Sequence, residues 1–341
     1  MWSTGKDWKS KMRNPASIVG EISLVAALSL FLLSACAGAA PLTAKEEAAP
    51  PEGATLERNL MDLYGGETAD QLRTDAPATV VKPRTVTDEI DKVPAFAKVF
   101  GDDDLAIVIG IEEYKNLPPV EYATNDAESM RSYLEALGFA PRNTRFLVNG
   151  DATESAIRVA VERWAVNAVK PESRVFFFYS GHGAPEPDKG DAYLVPYDGD
   201  PQYLADTAFS LQRLYDDLGR LPARSVIVMV DACFSGSGPR SVMARGVRSI
   251  ALRKKEKRPA NLAILTATSE RQIATSFPEK QHGLFSYELL SALHSGEKTV
   301  PEIFGYVEKR VADEARRQNV SQTPVLLMPE GADPELFRLA R

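Results

Sequence analysis

The stretch "SVIVMVDACFSGSG", residues 225–238, decides how this chain is read. Five apolar residues, four of them β-branched, end in an acid, Asp231. Cys233 follows two positions later, and small residues and glycine come after it. An uninterrupted apolar run of this length suits a strand covered on both faces, as in a parallel sheet. Ligands of open α/β sheets bind outside the carboxyl ends of the strands. The run therefore delivers a thiol to the edge where chemistry is done, and the chain has only two cysteines to place.

The same pattern recurs on either side. "LAIVIG" (105–110), "RFLV" (145–148), "RVFFFYSG" (174–181), "LAILTAT" (262–268) and "VLLM" (325–328) read as further strands. Between them lie amphipathic segments. In "NDAESMRSYLEALG" the apolar Ala127, Met130, Leu134 and Leu137 share one face, Asn125 and Glu128 have capping-box spacing, and Gly138 ends the run. Asp151 and Glu154 can cap a second helix burying Ala156, Ile157, Ala160, Val161 and Trp164. Helices are also expected at 210–221, 284–293 and 301–318. Strands alternating with helices predict an α/β fold, a mostly parallel sheet with helices on both faces.

The 341 residues are 44% hydrophobic and 26% charged, enough for a sizeable core. A net charge of −7 argues against nucleic acid as a partner, because phosphate recognition needs a basic surface. At the start, a basic leader precedes the apolar run "ISLVAALSLFLL" (22–33) and then "LLSAC" (32–36). That order reads as a signal peptide over 1–35 with a lipobox, lipidated at Cys36. Residues 36–92, rich in Ala, Pro, Glu and Thr, read as a flexible tether. A catalytic domain is expected over 93–330, with a tail over 331–341. A lipid anchor would hold the protein in the cell envelope, at the outer membrane facing the periplasm or the surface if the source is Gram-negative. Lipidation of Cys36 leaves Cys233 as the one thiol of the mature chain.

"FFFYSGHG" runs off another strand into His182, flanked by Gly181 and Gly183. There are only three histidines in the chain. If its strand neighbours that of Cys233, imidazole and thiol meet at one sheet edge. A thiol attacks a carbonyl as thiolate, and a positioned imidazole can take its proton and then protonate the leaving amine. His282 and His294 lack acids or cysteines at ligand spacing, so no transition-metal site is expected. "GDDD" (101–104) and "YDGDP" (197–201) lack the pattern of an EF-hand loop. No cofactor is expected to be required; activation by calcium stays open, with no clear site to support it.

"YSGHG" (179–183) and "DACFSG" (231–236) resemble the histidine and cysteine motifs of caspase-like cysteine peptidases, particularly bacterial members and metacaspases. The histidine precedes the cysteine by about 50 residues, as in that family. "AIVIGIEEYKNLPPVEYATNDAESMRSYL" (106–134), "YLVPYD" (193–198) and "HGLFSYELLSAL" (282–293) resemble further landmarks, so the likeness covers roughly 104–328. It implies a caspase-hemoglobinase fold and endopeptidase chemistry through a Cys233–His182 dyad and a thioester. It also implies an oxyanion hole of the Gly183 and Cys233 backbone N–H groups. Apoptotic caspases have glutamine where Asp231 stands. The acid resembles metacaspases, implying a pocket of Asp126, Ser180 and Asp231 for Arg or Lys before the cut. The peptide or protein substrate would then carry a basic residue. The Arg- and Lys-rich segment 237–261 corresponds to the linker between subunits, where self-cleavage or an uncut loop are both open. A catalytically weak scaffold module at the membrane surface is the alternative function.

Overall fold

The computed structural model describes residues 88–186, 191–234, 240–241, 259–269 and 272–340. The expected signal peptide, Cys36 and nearly all of the tether lie outside these residues. Six strands form the main sheet: β1 (Leu105–Gly110), β2 (Thr144–Val148), β3 (Arg174–Ser180), β7 (Ser225–Asp231), β8 (Leu262–Thr266) and β11 (Val325–Leu327). Their order is β11-β8-β7-β3-β1-β2. All neighbours run parallel except β11, which is antiparallel to β8. This is the mostly parallel α/β sheet of the caspase-hemoglobinase fold. A second, antiparallel sheet joins β4 (Gly183–Glu186), β5 (Asp191–Leu194) and β6 (Phe209–Ser210). A two-stranded ribbon pairs β9 (Ser276–Phe277) with β10 (His282–Gly283).

The continuous apolar strands are explained by what covers them. Ala106, Val108, Phe176, Phe178, Ile227 and Met229 point to one side, against α1 (Ala123–Leu137), α4 (Leu284–His294) and α5 (Val300–Arg317). The alternate residues Ile107, Ile109, Phe177, Val228 and Val230 point to the other, against α2 (Glu154–Val159) and α3 (Leu211–Gly219). With both pleat faces desolvated, each strand position is selected for apolarity.

Four local expectations are corrected. Helix α1 starts at Ala123 after Tyr122 in the left-handed region (φ 68°), and Asn125 lies inside it. The Asn125 amide donates instead to Gln281 O at 3.0 Å, so no capping box forms there. Thr153, rather than Asp151 or Glu154, caps α2, its hydroxyl accepting from Ala156 N at 3.2 Å. The packed domain begins before residue 93: Glu89–Asp91 form a 3-10 turn, and Ile90 is buried in the α1 core. The end of the chain is not a loose tail, because Phe337 and Leu339 are buried against the same core. Apolar side chains spaced along short irregular segments carry no periodic signal, yet each gains by leaving water.

The chain passes from β1 to β2 on one side, then crosses back to β3, β7 and β8 on the other. Loops leaving β1 and β3 therefore diverge, opening a crevice at the carboxyl edge. The β3–β7 register sets Ser180 opposite Asp231, so the two residues beyond each strand lie side by side.

Candidate active site

His182 leaves β3 and Cys233 leaves β7, each two residues beyond the paired Ser180 and Asp231. Both are buried. The imidazole Nε2 lies 2.8 Å from Pro118 O, in the loop after β1. A carbonyl only accepts, so Nε2 carries the hydrogen and the neutral ring presents its lone pair at Nδ1. Among the described residues, Nδ1 is buried without a hydrogen-bond partner. Burial pushes the imidazole below its ordinary value, and the Pro118 carbonyl offsets this only in part. The neutral ring is therefore favoured. The Cys233 thiol donates to Gln272 O at 3.2 Å.

Tyr114, from the same loop as Pro118, braces the histidine. Its hydroxyl accepts from His182 N at 2.7 Å, and the rings pack at 4.7 Å between centroids. Gly181 and Gly183 are required by crowding, since neither has positive φ. A Cβ on Gly181 would sit 2.6 Å from the Tyr114 hydroxyl, and one on Gly183 2.6 Å from Cys233 O.

The three expected pocket residues converge, and a fourth side chain lies among them. Arg240, from the 237–261 segment, is only 1% exposed. Its Nη1 donates to Ser180 Oγ at 2.9 Å and lies 3.3 Å from Asp231 Oδ1. Its Nη2 reaches Asp126 Oδ2 at 3.3 Å and Glu121 O at 3.2 Å. The Ser180 hydroxyl in turn donates to Asp126 Oδ2 at 2.7 Å. At the other end of the same residue, Arg240 O accepts from Gly183 N at 3.0 Å and from Cys233 N at 3.2 Å. Ser241, which follows it, forms a parallel bridge with Gly183.

The two carboxylates are held differently. Asp231 Oδ2 accepts from Ser286 N at 3.1 Å and Ser286 Oγ at 2.7 Å. Burial raises the Asp231 carboxyl, opposed by the Arg240 charge and assisted by that of Asp126. Burial would raise Asp126 too. Its His282 hydrogen bond, the Arg240 and His282 charges and the Ser180 hydroxyl outweigh that and hold it below the usual carboxylate range. Asp126 Oδ1 accepts from His282 Nδ1 at 2.9 Å and Gly283 N at 3.0 Å.

Sequence reasoning missed Tyr114, Pro118, Gln272, Ser286, His282 and Arg240. Pro118 and Gln272 act through backbone carbonyls, which every residue type carries. Tyr114, Ser286 and His282 join the site only through tertiary packing. Arg240 stood inside a basic segment with nothing to distinguish it from its neighbours.

Similarity to known proteins bears on the family and the fold. Metacaspase-1A of Aspergillus oryzae is 30% identical over 146 residues, covering 39% of this chain and 34% of that protein. Metacaspase-1A of Aspergillus terreus is 27% identical over 145 residues, covering 39% and 36%. The chain thus spans about a third of the length of these curated relatives. The crystal structure of protein GSU0716 from Geobacter sulfurreducens matches with a TM-score of 0.52 at 20% identity, covering 70% of this chain and 96% of that one, a likeness of fold. The sequence profile of the caspase domain, peptidase family C14, matches residues 103–329. That span runs from the start of the first strand past the last strand and takes in every loop at the carboxyl edge, so this chain belongs to the caspase domain family of cysteine peptidases.

Proposed function

We propose that the chain is a cysteine endopeptidase that cuts peptide bonds after arginine, and less efficiently after lysine. The observation that carries this reading is Arg240. One residue has its guanidinium between Asp126, Ser180 and Asp231 while its carbonyl oxygen accepts from Gly183 N and Cys233 N. A substrate residue before a scissile bond would make the same two sets of contacts.

In the proposed reaction the Cys233 thiol gives its proton to His182 Nδ1, and the sulfur attacks the carbonyl carbon. The negative charge that develops on oxygen is met by the two backbone donors, fixed in a buried site where they need no reorganisation. The tetrahedral centre collapses to a thioester as His182 returns the proton to the departing amine. Water then attacks the thioester, releasing the new carboxyl group and restoring the thiol. Pro118 O keeps the ring in the tautomer that leaves Nδ1 basic, and Tyr114 holds its backbone. Arginine is preferred because its planar fork meets two acids and a hydroxyl at once, which a single ammonium cannot.

The chain's own Arg240–Ser241 bond is the first substrate on this reading, and with Arg240 in place the site is closed to others. The test is to purify the full chain and its Cys233→Ala variant and locate any break by mass spectrometry. Peptides differing only in Arg, Lys, Asp or Leu before the cut are assayed in parallel. Cleavage after Arg240 in the wild type alone, with Arg the best peptide, is the expected result. Preference for Asp or Leu, or turnover retained by Cys233→Ala, overturns the assignment, and a fully inert wild type favours a scaffold. We also propose that Cys36 carries lipid and tethers the peptidase to the cell envelope, calcium being at most an activator.

A further inference from the structure

His282 and Asp91 stand behind the pocket, and neither touches Arg240 through any contact described above. His282 has a carboxylate on each ring nitrogen: Nδ1 to Asp126 Oδ1 at 2.9 Å and Nε2 to Asp91 Oδ1 at 3.3 Å. All three side chains are at most 1% exposed. Only the doubly protonated ring can donate to both acids. The three form a row, Asp91–His282–Asp126, whose last oxygen, Asp126 Oδ2, faces Arg240.

The far end of this row belongs to the segment ahead of the family domain, since Asp91 lies outside residues 103–329. That segment is fastened at several points. Asp91 Oδ2 accepts from Asp88 N at 3.1 Å, closing its own turn. Ile90 is buried and its carbonyl accepts from the Tyr133 hydroxyl at 2.8 Å. Asp88 pairs with Lys280, two residues before His282, and accepts from the Tyr287 hydroxyl at 3.4 Å. The turn thus grips the strand that carries both His282 and Gly283, the two residues that hold Asp126 Oδ1.

We propose that Asp91 and His282 are positioning residues for arginine specificity: the turn ahead of the domain fixes the Asp126 carboxylate that receives a substrate guanidinium. The proposal rests on the arginine-cutting function above. Asp91, Asp126 and Asp231 are three acids with buried side chains, the His282 ring lying between the first two and the Arg240 guanidinium between the last two. When a guanidinium leaves, the His282 and Gly283 hydrogen bonds to Oδ1 are what keep Asp126 aimed. Without Asp91 the ring loses the partner that fixes Nε2, and its Nδ1 bond to Asp126 Oδ1 is no longer held in place. A buried acid deprived of that hydrogen bond is inclined to take up a proton, which ends its attraction for arginine.

The test is steady-state kinetics of the full chain and of its Asp91→Ala and Asp91→Asn variants, on peptides with Arg or Lys before the cut. Labelling of Cys233 by iodoacetamide reports the thiol independently of the pocket, and Asn is nearly isosteric should Ala disturb folding. Loss of a hydrogen bond to a charged group predicts a rise of about tenfold in KM for the Arg peptide, with kcat within about twofold. Iodoacetamide labelling should be unchanged, and Asn, which retains an acceptor oxygen, should restore part of the loss. Wild-type KM in both variants, or a fall in kcat at constant KM, overturns the positioning role while the arginine-cutting reading stands. A wild-type chain that ignores Arg peptides overturns both.

Discussion

Replacing Arg240 by glutamine tests where that side chain sits without any need for catalysis. The comparison is made in a Cys233→Ala background, so that both chains stay uncut. In the parent, the guanidinium lies 3.3 Å from both Asp126 Oδ2 and Asp231 Oδ1 and is almost wholly buried. Removing one partner of a buried charge cluster leaves the others uncompensated, typically at a cost of about 3–5 kcal/mol. For a domain of this size that is a fall in Tm of roughly 6–20 °C. The loss must depend on pH. Burial already raises the Asp231 carboxyl, and the Arg240 charge is the main influence pulling it back down. Without Arg240 the folded-state value rises further. A group whose folded pKa lies above its unfolded one contributes its stability at low pH and loses it as pH rises through the folded value. The variant's deficit should therefore be smaller at pH 5 than at pH 8, because at acid pH Asp231 holds a proton instead of facing Asp126 as a second anion. Thermal unfolding by circular dichroism at the two pH values is sufficient. Equal Tm for the two chains at both pH values, or a deficit that grows toward acid, would refute the placement of Arg240 between the acids.

Gly283→Ala should block the pocket from the side, because a Cβ there would overlap Asp231 Oδ2 and Arg240 Nη2; cleavage after Arg should be lost while iodoacetamide labelling of Cys233 persists. Glu288 is pushed up to about 6 by burial, which the Arg310 charge opposes and the Glu314 charge assists. Its buried Oε2 lacks a hydrogen-bond partner among the described residues. Folding stability should fall as pH rises through that value, so Glu288→Gln should be more stable than wild type by on the order of 1 kcal/mol at pH 8 and no more stable at pH 4. Urea titrations at the two pH values check this, and equal gains at both would contradict it. Cys36→Ser should shift the full chain from the detergent phase to the aqueous phase in its native host; unchanged partitioning would remove the lipid anchor.

The strands, the order of elements and the convergence of two loops were legible in the amino-acid sequence. Apolar runs such as 105–110 and 225–231 admit few structures other than strands covered on both faces, because their hydration cost is the same on either side of the pleat. The motifs around His182 and Cys233 follow from the same logic, a reactive side chain where a buried strand runs out and glycines where neighbours come too close for a Cβ. Helix starts were less legible. Asn125 has the right spacing for a cap, yet the Gln281 carbonyl, 156 residues away, takes its amide. Local propensity is worth about 1 kcal/mol at a cap, and a tertiary partner easily outbids it.

What the sequence by itself determined is the chemistry available at one edge of a parallel sheet: a thiol, an imidazole and an acid, delivered by neighbouring strands. Which groups tune that chemistry was decided by the tertiary structure. Backbone carbonyls of Pro118 and Gln272 set the hydrogen bonds of the imidazole and the thiol, and no residue type announces a carbonyl. Asp91, His282 and Asp126 are separated by up to 191 residues along the chain but meet within hydrogen-bonding distance. Arg240 was one basic residue in a basic segment until folding buried it between two carboxylates, where the low dielectric makes a single charge decisive.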